Sequence, residues 1–359
     1  MKILPVQDRD GLAEFIEFPW KVYANDPSWI PPLREQVFFE LSGASAFSRY
    51  GRHQLFLCEA DGQLAGRIAA LINPKLVDGN GNLFGQLGYF ECIDDSGIAA
   101  ALVEAGIGWL RTQGAHQVLG PMNGGAHRLH RFMTRGFDRS PFLFEPRNPP
   151  YYPKLFEKCG FTPAHRWFSY DMNREGAASV LNQYDRILTR RPPPGHLEPL
   201  SLESPQEATA RIHRLLDPCW SDHFGYTSLD LEEFAEGFRG GLSIVSPGGI
   251  AIYVENGRDA GFLVVYPDYS ADVRALAGHA AGWGKWLGQS HPKRAVLYTT
   301  ALIPEARKSS VAMASVAYCF RQPFAEGFEE FIPAIVVEGY LGRMAEQTRE
   351  YTLYVRSLT

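Results

Sequence analysis

The sequence predicts an α/β (α+β) protein built from two similar units, each a mixed, mostly antiparallel sheet flanked by helices. Three observations support this fold class: the chain length, a proline-rich segment near the middle, and the same order of apolar patterns on both sides of it. A chain of 359 residues exceeds the roughly 100–200 residues of a typical domain, so we expect two domains. Hydrophobic residues make up 45% of the chain and charged residues 21%, which is typical of globular proteins.

The proline-rich segment contains Pro192, Pro193 and Pro194. Proline lacks an amide donor and fixes φ, so neither a helix nor a central strand is expected to cross this segment. The charged, helix-compatible stretch 174–189 precedes it and is predicted to connect the two halves. We therefore predict an N-terminal domain at 1–173, a helical and proline-rich linker at 174–195, and a C-terminal domain at 196–359.

Each unit begins with two helical patterns and a hairpin, continues with strand, loop, helix and strand, and closes with a short helix and a strand. The hairpins are indicated by Asp61-Gly62 and Asn256-Gly257 between alternating apolar residues, a strong turn signal. The first unit is predicted to contain helices 10–23, 34–41, 98–112 and 151–158 and strands 54–58, 64–71, 84–93, 117–120 and 167–170. The second is predicted to contain helices 205–216, 230–238, 311–320 and 340–345 and strands 250–254, 261–266, 296–303, 331–337 and 351–355.

Charge and cysteine content narrow the classes of partner and compartment. Lys and Arg total 35 and Asp and Glu total 40, giving a formal net charge of −5. A general binder of nucleic acid or anionic membranes would carry a basic surplus, so we expect neither partner.

The five scattered cysteines form no C-x-x-C pair and indicate buried free thiols rather than disulfides or a zinc site. The sequence has no signal-peptide pattern and no long apolar run, so we expect a cytoplasmic protein with no integral membrane segment. We also expect no metal, because no set of residues has a recognisable metal-ligand pattern.

The segment 304–312 carries the strongest local signal for ligand binding. It follows an apolar strand and begins a helix, where free amides and the helix dipole favour a phosphate group. Arg307 and Lys308 add positive charge, and the small Ser309 and Ser310 allow close approach to the backbone. The residues by themselves leave open the alternative of an exposed basic helix start with a serine cap.

The same segment resembles the acyl-CoA-binding signature of the GNAT acetyltransferase superfamily, Arg/Gln-x-x-Gly-x-Gly/Ala. Arg307, Val311 and Ala312 fit this pattern, whereas Ser310 replaces its first glycine. In the first half, segment 148–161 is similar to the closing segment of the superfamily, with its Asn, Tyr-containing helix and Gly-Phe turn. Further segments resemble a bacterial subgroup of tandem GNAT-like proteins whose wider neighbourhood includes bacterial ceramide synthases: 18–19, 26–33, 120–123 and 136–138.

The resemblance implies acetyl-CoA or a longer acyl-CoA as co-substrate. The residues expected to bind it are Ile303, Arg307, Lys308, Ser309, Ser310, Val311 and Ala312. At the corresponding loop the first half has Asp94 and Asp95, which would repel a diphosphate by ~1 kcal/mol even in bulk water and are suited to cap the next helix. We therefore expect CoA in the second half, and acceptor recognition, orientation of the halves, or both, from the first.

Transfer of an acyl group to an amine requires a base and a group that stabilises the oxyanion. The resemblance implies Glu91 as the base, with a solvent-facing strand residue as the alternative. In the glycine-rich loop 120–130, His127 or His130 is a candidate to accept a proton near neutral pH. Asn123 is a candidate to bond substrate or to hold the turn.

The departing thiolate requires an acid, which the resemblance implies is a tyrosine. Tyr152, next to Tyr151, is the candidate in the first half, and Tyr340 is the candidate in the second. Packing with a satisfied hydroxyl is the alternative role for each tyrosine.

The resulting expectation is an acyl-CoA-dependent N-acyltransferase that moves an acyl group from a CoA thioester to an amine of a small-molecule or lipid-like acceptor. A catalytically degenerate GNAT-fold protein that binds acyl-CoA or a metabolite is the alternative, supported by Ser310 and the acidic first loop. Aminoacyl transfer from tRNA is a third hypothesis, which the net charge of −5 disfavours. The sequence leaves open the acceptor, the acyl length, and whether the chain is a homodimer.

Overall fold

A computed structural model describes residues 1–339, 341 and 345–358, which form fourteen strands and nine α-helices. The strands are β1 (Lys2–Pro5), β2 (Arg52–Ala60), β3 (Gln63–Val77), β4 (Leu83–Cys92), β5 (Gln117–Gly120), β6 (Phe132–Arg135), β7 (Thr162–Ser169), β8 (Met172–Asn173), β9 (His196–Pro199), β10 (Ile250–Glu255), β11 (Arg258–Pro267), β12 (Arg294–Leu302), β13 (Glu330–Pro333) and β14 (Arg349–Ser357). The helices are α1 (Arg9–Val22), α2 (Arg34–Leu41), α3 (Ser96–Thr112), α4 (Tyr152–Lys158), α5 (Arg174–Arg190), α6 (Pro205–Trp220), α7 (Leu231–Leu242), α8 (Ser270–Ala275) and α9 (Ser309–Ala325).

The strands form two mixed sheets, as the sequence predicts. The first has the order β1-β2-β3-β4-β5-β14-β6, with β7 also paired to β14, and only its β4–β5 pair is parallel. The second has the order β8-β13-β12-β11-β10-β9, and only its β12–β13 pair is parallel. In each sheet the parallel pair consists of the strand before a long helix and the strand after it. Two parallel strands require such a crossover connection.

Each sheet is covered by helices on both faces. In the first unit, α3 and α4 pack on one face and α1 and α2 on the other. In the second unit, α5 and α9 cover one face and α6 and α7 the other. Burial on both faces explains why β3 and β11 contain long uninterrupted runs of buried residues instead of alternating ones.

The hairpin turns form where the sequence predicts them. Asp61 and Asn256 adopt positive φ angles of 51° and 54°, and each is followed by a glycine that also has positive φ. Two consecutive residues with positive φ match the right-handed twist of the flanking strands, which is why Asp-Gly and Asn-Gly occur there. The stretch 174–189 is helical, since α5 spans Arg174–Arg190 and is capped by Asn173.

Two strands cross between the sheets, which corrects the expectation that strand 351–355 closes the second unit. β14 lies in the first sheet, where it pairs with β5, β6 and β7. Its side chains Leu353 and Tyr354 are buried in the first unit's core clusters. In the opposite direction, β8 pairs with β13 in the second sheet. The domain boundaries at 1–173, 174–195 and 196–359 stay a prediction.

The strand predicted at 331–337 is shorter in the structure. β13 ends at Pro333, and the chain then turns toward the first sheet, where Val336 and Phe168 exchange backbone hydrogen bonds. The helix predicted at 340–345 falls largely on residues outside those described. No helix formed by residues 1–339, 341 and 345–358 is both long and apolar enough to cross a bilayer.

Candidate functional site

The start of α9 presents backbone amides that have no partner in the described chain. Lys308 occupies the N-cap position but provides no side-chain cap, because its ammonium group has no acceptor atom. Its Nζ lies 3.1 Å from Oε1 of Glu255. The first amide of this turn to find an acceptor is that of Ala312, which donates to the Lys308 carbonyl over 3.0 Å. The amides of Ser309, Ser310 and Val311 donate to no described group. Three donors and the positive end of a 17-residue helix therefore face one point, an arrangement suited to an anion.

The positive side chains of this loop are held by carboxylates. Arg307 pairs with both carboxylate oxygens of Asp222, one at 2.8 Å from Nη2, and donates to the carbonyls of Cys219 and Leu302 over 2.7 and 3.1 Å. The guanidinium holds the pKa of Asp222 well below its usual range. Arg307 therefore ties the loop to the end of α6, and the amides are the uncompensated positive element of the site.

The equivalent helix start in the first unit is closed by the chain itself. Asp95 is the N-cap of α3, and its Oδ1 accepts from the amides of Gly97 and Ile98 over 2.7 and 3.0 Å. The carboxylate thus satisfies two of the donors that an anion would use. The two loops, 94–96 and 307–309, differ as the charge contrast in the sequence suggests.

The strands that precede these two helices, β4 and β12, also differ: side chains fill the edge of β4, whereas the edge of β12 is left by the backbone. In the first unit, side chains occupy the edge of β4 beyond its pairing with β5. Asn123 Oδ1 accepts from the amide of Tyr89 over 2.9 Å, and the Tyr152 hydroxyl accepts from the amide of Cys92 over 2.8 Å. The Tyr151 hydroxyl donates to the Cys92 carbonyl over 2.8 Å. These three side chains close the place where β4 and β5 diverge.

In the second unit, the corresponding divergence is made by the backbone. Pairing of β12 with β13 ends at Leu297, whose carbonyl accepts from the amide of Ala334 over 3.1 Å. The chain then leaves toward β7, where Val336 and Phe168 exchange backbone hydrogen bonds. A register shift in the pairing of β12 with β11 places a bulge at Tyr298. β12 and the chain after β13 therefore part at Tyr298, on the strand that leads to α9.

Glu91 lies in a polar cluster of the first unit, and its side chain is 15% exposed. The Tyr152 hydroxyl donates to Glu91 Oε2 over 2.7 Å, and Arg67 Nη2 lies 3.8 Å from Oε1. Burial raises the pKa of Glu91 to about 7, against the opposing effects of Arg67, Tyr152 and Tyr23. Glu91 therefore exchanges a proton near neutral pH, which a general base requires, while the same contacts also stabilise the first unit.

The two loop histidines are neutral in this environment. Burial lowers the pKa of His127 to about 3, and its Nε2 lies 3.8 Å from Oε1 of Glu233. Burial and the charge of Arg131 hold the pKa of His130 well below its usual value. His130 Nδ1 lies 2.8 Å from the Arg128 carbonyl and therefore carries the proton, so Nε2 is left to accept from Arg131 Nη2.

The remaining predicted residues fall into three groups. Ile303 donates its amide to the Ala260 carbonyl at the end of β12, and Val311 is fully buried below the open amides. Ala312 is exposed on α9. Tyr340 lies outside the described residues. The structure thus brings Arg307 to Ala312 together at one site and Glu91 with Tyr152 at another.

Sequence reasoning missed two partners that define these sites. Asp222 binds Arg307 from 85 positions away in the chain, and Arg67 faces Glu91 from the neighbouring strand. The pairing register of the two predicted strands could have indicated Arg67, since Arg67 lies directly opposite Glu91 across β3 and β4. Nothing local indicates Asp222. Within the described ranges, no group of three or more His, Cys, Asp or Glu side chains is arranged to hold a metal ion.

The chain has the tandem GNAT fold: two mixed sheets, each with one crossover helix that begins at an equivalent position, α3 in the first unit and α9 in the second. A solved tandem GNAT protein from the clavulanic acid biosynthesis pathway matches with a TM-score of 0.51 and 13% identity, over 99% of this chain and 98% of that one. The GCN5-related glucosamine N-acetyltransferase region of a fungal multidomain β-N-acetylglucosaminidase matches with a TM-score of 0.59 and 13% identity, over 99% of this chain and 38% of that one. At such identities the likeness shows the fold alone.

Two curated proteins are similar in sequence. A bacterial ceramide synthase of Caulobacter vibrioides is 27% identical over 298 residues, which is 80% of this chain and 76% of that protein. Protein YghO of Escherichia coli is 25% identical over 289 residues, which is 78% of this chain and 72% of that protein. No family model matches the chain.

Proposed function

We propose that this protein is an acyl-CoA-dependent N-acyltransferase whose second unit binds the acyl-CoA. The observation that carries the proposal is the open start of α9, where the amides of Ser309, Ser310 and Val311 have no acceptor in the described chain. A diphosphate supplies several acceptor oxygens and negative charge, which these donors and the helix dipole favour. The contrast with α3, whose first amides bond to Asp95, supports the second unit over the first.

The divergence of β12 from the chain after Ala334 supports a place for the rest of the donor. The arm of CoA between diphosphate and thiol contains two amides, and a strand edge is complementary to an extended chain with amide groups. The start of α9 follows the end of β12 after only a short helical turn, Pro304–Ala306. An arm that leaves the diphosphate along β12 would bring the thioester toward the bulge at Tyr298.

The reaction joins the acceptor amine to the acyl carbon. The amine nitrogen forms a bond to the thioester carbonyl carbon, the C–S bond breaks, one proton leaves the nitrogen, and one proton reaches the thiolate. With the donor in the second unit, we place the transfer there and assign proton removal to water. The contacts of Glu91 with Tyr152 and Arg67 then orient and stabilise the first unit, and Glu91 remains the candidate base for an acceptor that reaches that unit.

The acceptor is proposed to be a lipid-like amine. This part of the proposal is supported by the similarity to a protein named bacterial ceramide synthase, since a ceramide synthase N-acylates a long-chain base. Exposed apolar side chains near the strand divergence, Phe144, Tyr298 and Val337, provide a surface on which an aliphatic chain can lie.

Calorimetry followed by an activity assay tests the proposal. CoA, acetyl-CoA and palmitoyl-CoA are titrated into the protein, and thiol release is then measured with a panel of amines that includes a long-chain base and short alkylamines. The proposal expects saturable CoA binding and amine-dependent thiol release. Binding without release for any amine supports the alternative, a catalytically degenerate acyl-CoA-binding protein. No binding of any of the three CoA species would refute both functions.

A further inference from the structure

Arg131 lies on the first unit beside the place where β12 and β13 part. Its backbone has a φ of 82°, which is rare for a residue with a side chain and is held here by a 2.9 Å bond from its amide to the Pro121 carbonyl. Such conformations cost of the order of 1–3 kcal/mol and cluster at functional sites. The conformation places the Arg131 guanidinium over the ring of Trp167, 3.9 Å from its centre.

The guanidinium of Arg131 has no carboxylate partner in the described chain. Its Nη2 contacts Nε2 of the neutral His130, and its Nε is buried without any hydrogen-bond partner. Burial lowers the pKa of Arg131 to about 9, so the group is still positively charged at neutral pH. A desolvated cation without a counter-ion is unfavourable unless a ligand supplies the negative charge.

Four other arginines in buried surroundings are paired with carboxylates. The pairs are Arg67 with Glu91, Arg147 with Asp26, Arg294 with Asp268, and Arg349 with Glu145 and Asp171. Arg128 forms no ion pair either, but the charges of Glu40 and Glu233 act on it, whereas no carboxylate acts on Arg131. The Arg131 guanidinium therefore indicates a position for an external anion.

Aromatic side chains from both units lie near this cation. Phe144 and Tyr298 lie 6.4 Å apart between ring centres and are 44% and 48% exposed. The charge of Arg131 acts on the Tyr298 hydroxyl, so these two side chains lie within electrostatic range of each other. Trp167 precedes Phe168, which pairs with Val336 of the second unit. The cation therefore lies close to the place where the two units meet.

We propose that Arg131 binds a carboxylate or phosphate group carried by the acceptor amine, whose apolar body lies against Phe144 and Tyr298. This inference rests on the proposed function, because it describes the acceptor of that reaction. It specifies an acceptor that brings its own negative charge, such as an amino acid or an amine phosphate with an apolar substituent. His130 is then a positioning residue, since its Nε2 accepts from Arg131 and fixes the guanidinium on Trp167.

Direct binding of three single-chain probes tests the inference without catalysis. Octyl phosphate, N-octanoylglycine and octyltrimethylammonium are titrated below their micelle concentrations, by calorimetry and by tryptophan fluorescence, into the wild type, Arg131→Gln and Arg131→Lys. A matched control is Arg166→Gln, because Arg166 neighbours Trp167 in sequence but is 58% exposed. We expect at least a tenfold loss of anionic-probe affinity in Arg131→Gln, partial retention in Arg131→Lys, and no change in Arg166→Gln. Preference between the two anionic probes identifies phosphate or carboxylate as the natural group.

The inference is overturned if Arg131→Gln binds octyl phosphate and N-octanoylglycine as tightly as the wild type does. It is also overturned if the wild type binds octyltrimethylammonium as tightly as it binds the two anionic probes. Thermal unfolding provides a second measurement. Because Arg131 pairs with no carboxylate, Arg131→Gln should keep the midpoint of unfolding or raise it, and a large decrease together with unchanged probe binding would show a purely structural role. CoA titration of the same variants separates the two proposals: absent CoA binding refutes the proposed function, whereas CoA binding with Arg131-independent probe binding refutes only this inference.

Discussion

Replacing Lys308 by Asp should convert the open start of α9 into the closed start of α3. Lys308 occupies the N-cap position of α9, as Asp95 does for α3. An aspartate there is expected to accept from the same free amides that a diphosphate would use. The substitution therefore places a capping carboxylate in the proposed site, as Asp95 does at the start of α3.

The structure gives the expected sizes and directions of two effects. A good N-cap stabilises a helix by ~1 kcal/mol, so Lys308→Asp should raise the midpoint of thermal unfolding by roughly 2 °C in a chain of this size. A carboxylate ~4 Å from a phosphate oxygen opposes binding by ~1 kcal/mol in water and ~4 kcal/mol near a protein surface. The dissociation constant of CoA should therefore rise by about 5- to 1000-fold.

Lys308→Ala is the matched control, because it removes the same charge and the contact with Glu255 but leaves the amides open. It should weaken CoA binding by less than about tenfold, as expected for one exposed charge. Calorimetry with CoA and differential scanning fluorimetry measure the two effects in parallel. If Lys308→Asp binds CoA as well as Lys308→Ala does, the amides of α9 are not the diphosphate site.

Three further predictions concern other parts of the two units. Arg307→Glu should weaken CoA binding far more than Asp94→Arg, and equal or reversed effects in calorimetry would move the cofactor to the first unit. Tyr152→Phe removes the hydroxyl that bonds to Glu91 and to the Cys92 amide, so urea unfolding should show a loss of about 1–3 kcal/mol while CoA affinity is unchanged; a parallel loss of CoA affinity would contradict the assignment of CoA to the second unit. His127 has its pKa lowered to about 3 by burial, so protonation of the unfolded chain below its ordinary value of about 6.5 destabilises the wild type as pH falls. His127→Gln should therefore cost about 2 kcal/mol less at pH 5 than at pH 8 in urea unfolding, and an equal cost at both pH values would show that the imidazole is not buried in its neutral form.

The sequence alone determined features that depend on neighbouring residues. Asp61-Gly62 and Asn256-Gly257 predict their hairpins because two consecutive positive φ angles are a local requirement. The contrast between Asp95 and Lys308 at the two helix starts is local as well, since a cap acts within three residues. For this reason the fold class and the asymmetry between the two helix starts could both be predicted.

Only the tertiary structure decided which distant groups meet. The period-2 pattern of β14 specifies a buried strand but not its sheet, and the strand joins the first unit because β5 and β7 offer it two open edges. Asp222 reaches Arg307, and burial raises the pKa of Glu91 to about 7, through contacts that no local pattern encodes. Backbone turns and caps are set by nearest neighbours, whereas strand partners, ion pairs and desolvation depend on the packing of the whole chain.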